Sequence, residues 1–366
     1  MKAFQTTTWL AGAVLAGLAA CGAPQPPAPE ESPAAGPLAF ERLAPLAPPH
    51  GLAAPFAGVS DGALLVAGGA NFPDRPPWQG GTKVWHDAVF ALRAPHAAWE
   101  QAGRLPRPLA YGASVSWNNA VLCFGGSDAR RHYADAFALS LEHGVLRTRA
   151  LPPLPAPCAN MAWAMAGSTL YLAGGLAAPE ATNCLPLFWS LDLARPGRGW
   201  NILDPGPVPP RMLAVAGARD AEFFLFSGVA LVPGPEGRPR REYLRDAWRY
   251  SPAGGWTRLP DLPRAAAAAP SPAPFHQGRF LIFSGDDGAR LGFEPPEAHP
   301  GFPRDALAYL PATGQWRAAG PVPFSLATVP VVSWGERLVI PGGETRPGIR
   351  STEVWTFSTR NQQSLP

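Results

Sequence analysis

Thr169-Leu170-Tyr171-Leu172-Ala173-Gly174-Gly175 is a short apolar run closed by two glycines, and its recurrence decides the fold. Related runs are Ala63-Leu64-Leu65-Val66-Ala67 before Gly68-Gly69, and Glu222-Phe223-Phe224-Leu225-Phe226 before Ser227-Gly228. Gly125-Gly126, Ser284-Gly285 and Gly342-Gly343 close three more. Counted from the second residue of each pair, the spacings are 57, 49, 53, 57 and 58. Continuous apolar runs of this length suit strands buried on both faces. An acidic residue then leads an alternating strand, as in Asp135-Ala136-Phe137, Asp246-Ala247-Trp248, Asp305-Ala306-Leu307 and Glu353-Val354-Trp355. An outer strand opens on Trp99, Trp200, Trp256 or Trp316, with Val145-Leu146 standing in that place in the second unit.

A period near 50 with four short strands per unit is the signature of kelch-type blades. The expected fold is all-β: one six-bladed kelch-type β-propeller over residues 38–361. The sixth unit stops after the Trp355 strand, while Phe40-Glu41-Arg42-Leu43-Ala44-Pro45 matches the outer strand seen elsewhere. The N-terminal strand is therefore predicted to complete the last blade and remove an exposed sheet edge. The 47 prolines and 39 glycines recur in register with the units and read as turn punctuation rather than disorder.

Charged residues make up only 16% of the chain and the net charge is +3, so no concentrated basic face points to nucleic acid. Residues 1–20 read as a secretory signal: Lys2, then an apolar stretch from Trp9 to Ala20 that is too short to span a bilayer. Leu18-Ala19-Ala20-Cys21 resembles a bacterial lipobox, which implies lipidation of Cys21 and contact with a membrane through that anchor alone. Gly22 rather than Asp follows, which in that pattern favours the periplasmic side of the outer membrane. Residues 21–37 are rich in Pro and Ala and read as a stiff tether. Cys123 lies in an apolar run and reads as a buried small hydrophobe. Cys158 and Cys184 fall in loops of one blade, where an oxidising compartment permits but does not require a bridge.

No single repeat encloses a site, so function is expected where loops of several blades meet. The position after the register proline holds His50, Arg107, Cys158, Arg211, Arg264 and Phe324. Three arginines around one channel mouth imply an anionic ligand, because guanidinium forks pair with carboxylates. The same arginines can equally brace neighbouring loops. The loops after the glycine pairs add Asn71, Lys83, Asp128, Arg131, His132, Asn183, Arg241, Asp286, Asp287, Glu344 and Arg350. In Gly343-Glu344-Thr345-Arg346-Pro347-Gly348-Ile349-Arg350, the Pro-Gly turn is expected to fold the chain back and bring Glu344 near Arg350. A carboxylate beside a guanidinium stays charged, which suits a proton acceptor.

That Gly-Glu-x-x-Pro-Gly-x-Arg stretch resembles a motif of the N-acetylneuraminate epimerases, kelch-type sialic acid mutarotases. So do Gly51-Leu52-Ala53-Ala54-Pro55-Phe56-Ala57-Gly58-Val59-Ser60 and Ala110-Tyr111-Gly112-Ala113-Ser114-Val115-Ser116-Trp117-Asn118-Asn119. In the common form of that family the glutamate motif comes first; here it comes last, as in a cyclically permuted branch, which a closed ring tolerates. The resemblance implies a cofactor-independent isomerase that opens and recloses the ring of an acidic sugar. Glu344 is then the proton acceptor and Arg350 its companion. Arg107, Arg211, Arg264, Arg131 and Asn71 are expected to hold the substrate, with His132 a candidate proton donor and Tyr133 and Trp85 lining the pocket. A non-catalytic lipoprotein that binds a glycan or protein is the alternative. Copper radical oxidation needs clustered His and Tyr ligands, whereas the seven histidines are scattered over separate loops. No metal site is expected.

Overall fold

The computed structural model describes residues 38–358, and there the apolar runs become the second strands of six four-stranded antiparallel blades. The first blade comprises Phe56–Ser60, Ala63–Ala67, Ala88–Leu92 and Glu100–Arg104. Four more follow in the same order around the ring. The sixth takes Val332–Trp334, Arg337–Pro341 and Val354–Ser358 from the C-terminal end and Phe40–Arg42 from the N-terminal end. Its closing register pairs Phe40 with Phe357 and Arg42 with Trp355. The six-bladed kelch-type propeller and its N-terminal clasp are thus present. The signal, the tether and Cys21, together with residues 359–361 of the expected domain, lie outside the described residues.

Blades pack face to face, and one apolar cluster fills each of the six interfaces. The cluster joining the sixth blade to the first contains Val332, Val339 and Val354 with Ala57, Leu64 and Val66. Alternating side chains of the inner strands supply both faces of a blade, which explains the uninterrupted apolar runs. The outer tryptophans tie neighbours together: indole N–H groups of Trp99, Trp200, Trp256 and Trp316 donate to carbonyls of Ala44, Pro152, Asp204 and Pro260 at 2.8–3.4 Å. In the second blade Leu146 instead packs against Gly103.

The glycine pairs are inter-blade staples. In five blades the second glycine's N–H donates to a carbonyl leading into the next blade, as Gly175 does to Arg211 at 2.8 Å. A Cβ on Gly174 would stand 2.1 Å from that same carbonyl oxygen, so the chain approaches too closely for any side chain. Where serine replaces the first glycine it contributes a hydroxyl: Ser227 and Ser284 accept the N–H groups of Ala266 and Leu326.

Candidate functional site

The innermost turns of the blades meet in a closed backbone ring. Ala54, Tyr111, Asn160, Leu213, Ala268 and Thr328 all adopt left-handed conformations, with φ between +50° and +65°. Each N–H donates to the carbonyl of its counterpart in the preceding blade, at 2.6–3.0 Å, and Ala54 closes the circle onto Thr328. A left-handed residue other than glycine costs about 1 kcal/mol; here each one gains a hydrogen bond for it. Above the ring opens a bowl of about 710 Å³, within the size range of small-molecule sites. Below it runs a narrow, mainly apolar passage of about 50 Å³, lined by Pro55, Met161, Trp163 and Val329 among others. The ring is the floor of the bowl, and it fixes the Tyr111 backbone there.

Three short hairpins raise the walls: Ala70–Asn71 with Val84–Trp85, Val229–Pro233 with Pro239–Tyr243, and Glu344–Arg346 with Ile349–Arg350. The third turns on Pro347-Gly348, with φ of Gly348 at +83°, and sets Glu344 opposite Arg350. Arg350 Nη1 donates to Glu344 Oε1 at 2.5 Å, and the Gly348 N–H donates to the same oxygen at 2.8 Å. Both hydrogen bonds that the carboxylate accepts among the described residues fall on Oε1, which leaves Oε2 for a ligand proton. The Arg350 side chain is 5% exposed and lies over the Phe72 ring. Its Nε reaches the Ala70 carbonyl at 3.4 Å, joining the hairpins of the sixth and first blades.

Lys83 enters from the first of these hairpins. Its ammonium lies over the rings of Tyr111, at 4.2 Å, and Trp85, at 4.8 Å. Burial and the nearby Arg350 charge lower its pKa to about 8, although Glu344 pulls the other way. Burial pushes the Tyr111 hydroxyl up to about 12, with Arg350 reaching that hydroxyl and moderating the shift. On the far wall the Tyr243 hydroxyl donates to Asp286 Oδ2 at 2.6 Å, and Gly288 N–H donates to Oδ1. Burial first and this carboxylate second raise the Tyr243 pKa. Asp286 occupies in the fifth blade the register position of Glu344 in the sixth, each bridging the residue before the floor ring.

Several predicted contacts lie elsewhere. Arg107, Arg211 and Arg264 do not line the bowl; each clamps the acidic residue leading the third strand of its own blade. Arg211 is fully buried and grips Asp246 with two hydrogen bonds of 2.7 and 2.6 Å, besides donating to the Ser227 and Pro209 carbonyls. Burial would raise the Asp246 carboxyl, but bonds from Arg211 and Trp248 and the Arg211 charge hold it below its ordinary value. Arg264 pairs with Asp305 at 2.5 Å and Arg107 with Asp135 at 3.0 Å. Arg131 is exposed and, with Arg107, flanks Tyr133, whose hydroxyl donates to Asp128 at 2.5 Å. Tyr133 is therefore buried in a loop brace, while Trp85 does line the bowl. Asn71 is buried, its amide donating to the Gly51 carbonyl and its oxygen bonded to the His86 ring.

His132 lines the bowl but is a poor proton donor. Its Nδ1 meets the Leu176 carbonyl at 2.9 Å, so that nitrogen carries the proton and neutral Nε2 can only accept. Burial lowers its pKa, which keeps it neutral at pH 7. Cys158 and Cys184 are separate buried thiols. Tyr111 and the floor ring are what the residue pattern did not reveal. Aligning the six inner turns, for example Ala110-Tyr111-Gly112 with Ala159-Asn160-Met161, would have picked out that register.

Residues 42–147 match the family profile of N-acetylneuraminate epimerase. Curated relatives of that name share the likeness. The protein from Escherichia coli O157:H7 is 36% identical over 99 residues, which cover 25% of this chain and 27% of the relative. The Salmonella enteritidis PT4 protein is 40% identical over 90 residues, covering 22% and 23%. The aligned stretch thus spans about a quarter of these relatives. Among solved structures, "Structure of YjhT" superimposes with a TM-score of 0.63 over 88% of this chain and 99% of that one, at 15% identity, a likeness of fold. The profile match runs through the first two blades and so includes Lys83, Trp85, Tyr111 and His132, while Glu344 and Arg350 lie beyond it.

Proposed function

We propose that this protein is a sugar mutarotase that interconverts the α and β anomers of N-acetylneuraminate or a closely related acidic sugar, without a cofactor. The observation that carries this reading is the Glu344–Arg350 pair on the wall of a bowl floored by the backbone ring. The likeness to the epimerases in the first two blades supports it. Arg350 and the Gly348 N–H hold one carboxylate oxygen of Glu344, so the other has a defined direction in which to take a proton. Glu344 removes the proton of the anomeric hydroxyl. The bond from the anomeric carbon to the ring oxygen then breaks, the anomeric carbon becomes a carbonyl, and the departing ring oxygen receives a proton. Tyr111, protonated at neutral pH and beside both Arg350 and Glu344, is the assigned donor. Rotation about the neighbouring carbon–carbon bond and the reverse transfers close the ring on the opposite face. Positioned proton transfer of this kind supplies roughly 10²–10⁴-fold, which suffices for a reaction that already runs spontaneously. NMR of a freshly released α-anomer tests the reading: the protein is expected to speed equilibration. Binding with no change in the exchange rate would select the non-catalytic alternative.

We also infer attachment of Cys21 to the periplasmic side of a membrane, outer by preference, supported by Leu18-Ala19-Ala20-Cys21. No helix among the described residues is long and apolar enough to cross a membrane. Detergent-phase partition of the full chain should be lost on Cys21→Ala; partition retained in that variant would refute lipidation there.

A further inference from the structure

We propose that Lys83 is the residue that selects acidic ligands, its ammonium receiving the carboxylate of the bound sugar beside the Glu344–Arg350 pair. The inference deepens the mutarotase reading and rests on it for the reaction, though not for binding.

An anionic ligand needs a cation whose charge and hydrogen bonds are not already taken. Arg107, Arg211 and Arg264 are engaged with carboxylates away from the bowl. Arg350 is given to Glu344 and to the Ala70 carbonyl, and Arg346 to the Glu297 and His299 carbonyls. Arg241, on the far wall, is exposed and beside the Tyr243 hydroxyl. Arg241 likewise has no ion pair among the described residues, but it stands on the hairpin across the bowl, whereas Lys83 stands beside the Glu344–Arg350 pair. Among the described residues Lys83 has neither an ion pair nor a hydrogen bond, and its ammonium is held only by the faces of Trp85 and Tyr111. Aromatic faces attract a cation without neutralising it or occupying its N–H donors.

Lys83 and Arg350 carry two positive charges against the single negative charge of Glu344. On that side of the bowl one half-buried positive charge is left without a carboxylate, the Asp128 and Asp286 that line other walls being bonded to Tyr133 and Tyr243. Such a charge is costly until an anion arrives. The contact from Arg350 to Ala70 ties the Lys83 hairpin to the Glu344 hairpin, so both groups face the same space. Trp85 and Tyr111 add flat apolar surfaces for the C–H faces of a sugar ring. A carboxylate carried on a sugar ring fits this combination, and a neutral sugar leaves the ammonium unmatched.

The test compares N-acetylneuraminate with its methyl ester, which keeps the ring and removes the charge. Binding is measured by calorimetry for the wild type, Lys83→Met and Lys83→Arg, alongside anomer-exchange rates and thermal unfolding. The wild type is expected to prefer the acid by roughly 10–100-fold, the range of a charged hydrogen bond. Lys83→Met should lose that preference while binding the ester as before, and Lys83→Arg should restore most of it. The inference falls if the wild type shows no preference, if Lys83→Met keeps it, or if acid and ester weaken together. A wild type that prefers the acid through Lys83 yet leaves anomer exchange unchanged would sink the mutarotase reading alone.

Discussion

Arg211–Asp246 and Arg350–Glu344 are both close, largely buried arginine–carboxylate pairs, with shortest contacts of 2.6 and 2.5 Å. Around Asp246 both oxygens are filled, by Arg211 on two sides and by the Trp248 indole, and the pair is walled in by protein. Around Glu344 one oxygen receives both bonds, the bowl lies alongside, and a lysine with no anionic partner stands nearby. The first arrangement is saturated and can only brace. The second holds geometry while leaving capacity for a ligand. What separates a brace from a site is therefore the unfilled acceptor and the unmatched charge beside it.

The largest effect should come from the open pair. Glu344→Gln keeps an acceptor for Arg350 and Gly348 but removes the proton acceptor, so anomer exchange should slow by roughly 10²–10⁴-fold. Its thermal midpoint should stay near that of the wild type. Full activity in this variant would erase the contrast between the two pairs.

The saturated pair should behave in the opposite way. Asp246→Ala strands a buried guanidinium and should cost about 3–5 kcal/mol in urea unfolding, with exchange per folded molecule unchanged. Arg107→Ala, which breaks the partly exposed pair with Asp135, should cost no more than about 1 kcal/mol. Equal losses in the two variants would show that burial does not rank these clamps.

The smallest effect sharpens the account of Lys83. Its pKa in the folded protein lies near 8, below the ordinary 10.5, so the folded state holds that proton less tightly than the unfolded chain. Lys83 therefore opposes folding below pH 8, and the penalty fades as the pH rises from 8 towards 10.5. Lys83→Met should gain on the order of 1 kcal/mol over the wild type at pH 7, and the gap should close by about pH 10.5. A gap that stays constant with pH would mean that the ammonium is not desolvated.

The fold was legible because a propeller repeats a local pattern. Apolar runs, glycine pairs and outer tryptophans each report on four or five residues at a time, and their spacing counts the blades. The clasp was equally readable, since Phe40–Pro45 supplies the outer strand that the last unit lacks. The Glu344–Arg350 pairing was visible for the same reason: the two residues are six apart across one Pro-Gly turn. Other expectations about the site failed because register alone does not reveal a side chain's partner. Arg107, Arg211 and Arg264 share a position around the ring, and each is claimed by the aspartate leading the third strand of its blade.

The amino-acid sequence by itself determined the number of blades, the closure of the ring and the hairpin that carries Glu344, because hydrophobic period and turn chemistry act over short distances along the chain. Only the tertiary structure decided which charges are spent and which stay available. Lys83, Tyr111 and Glu344 come from three different blades, and the carboxylates that neutralise the arginines lie 28 to 41 residues away from them. Charge compensation depends on distance through space, and the closed ring sets those distances.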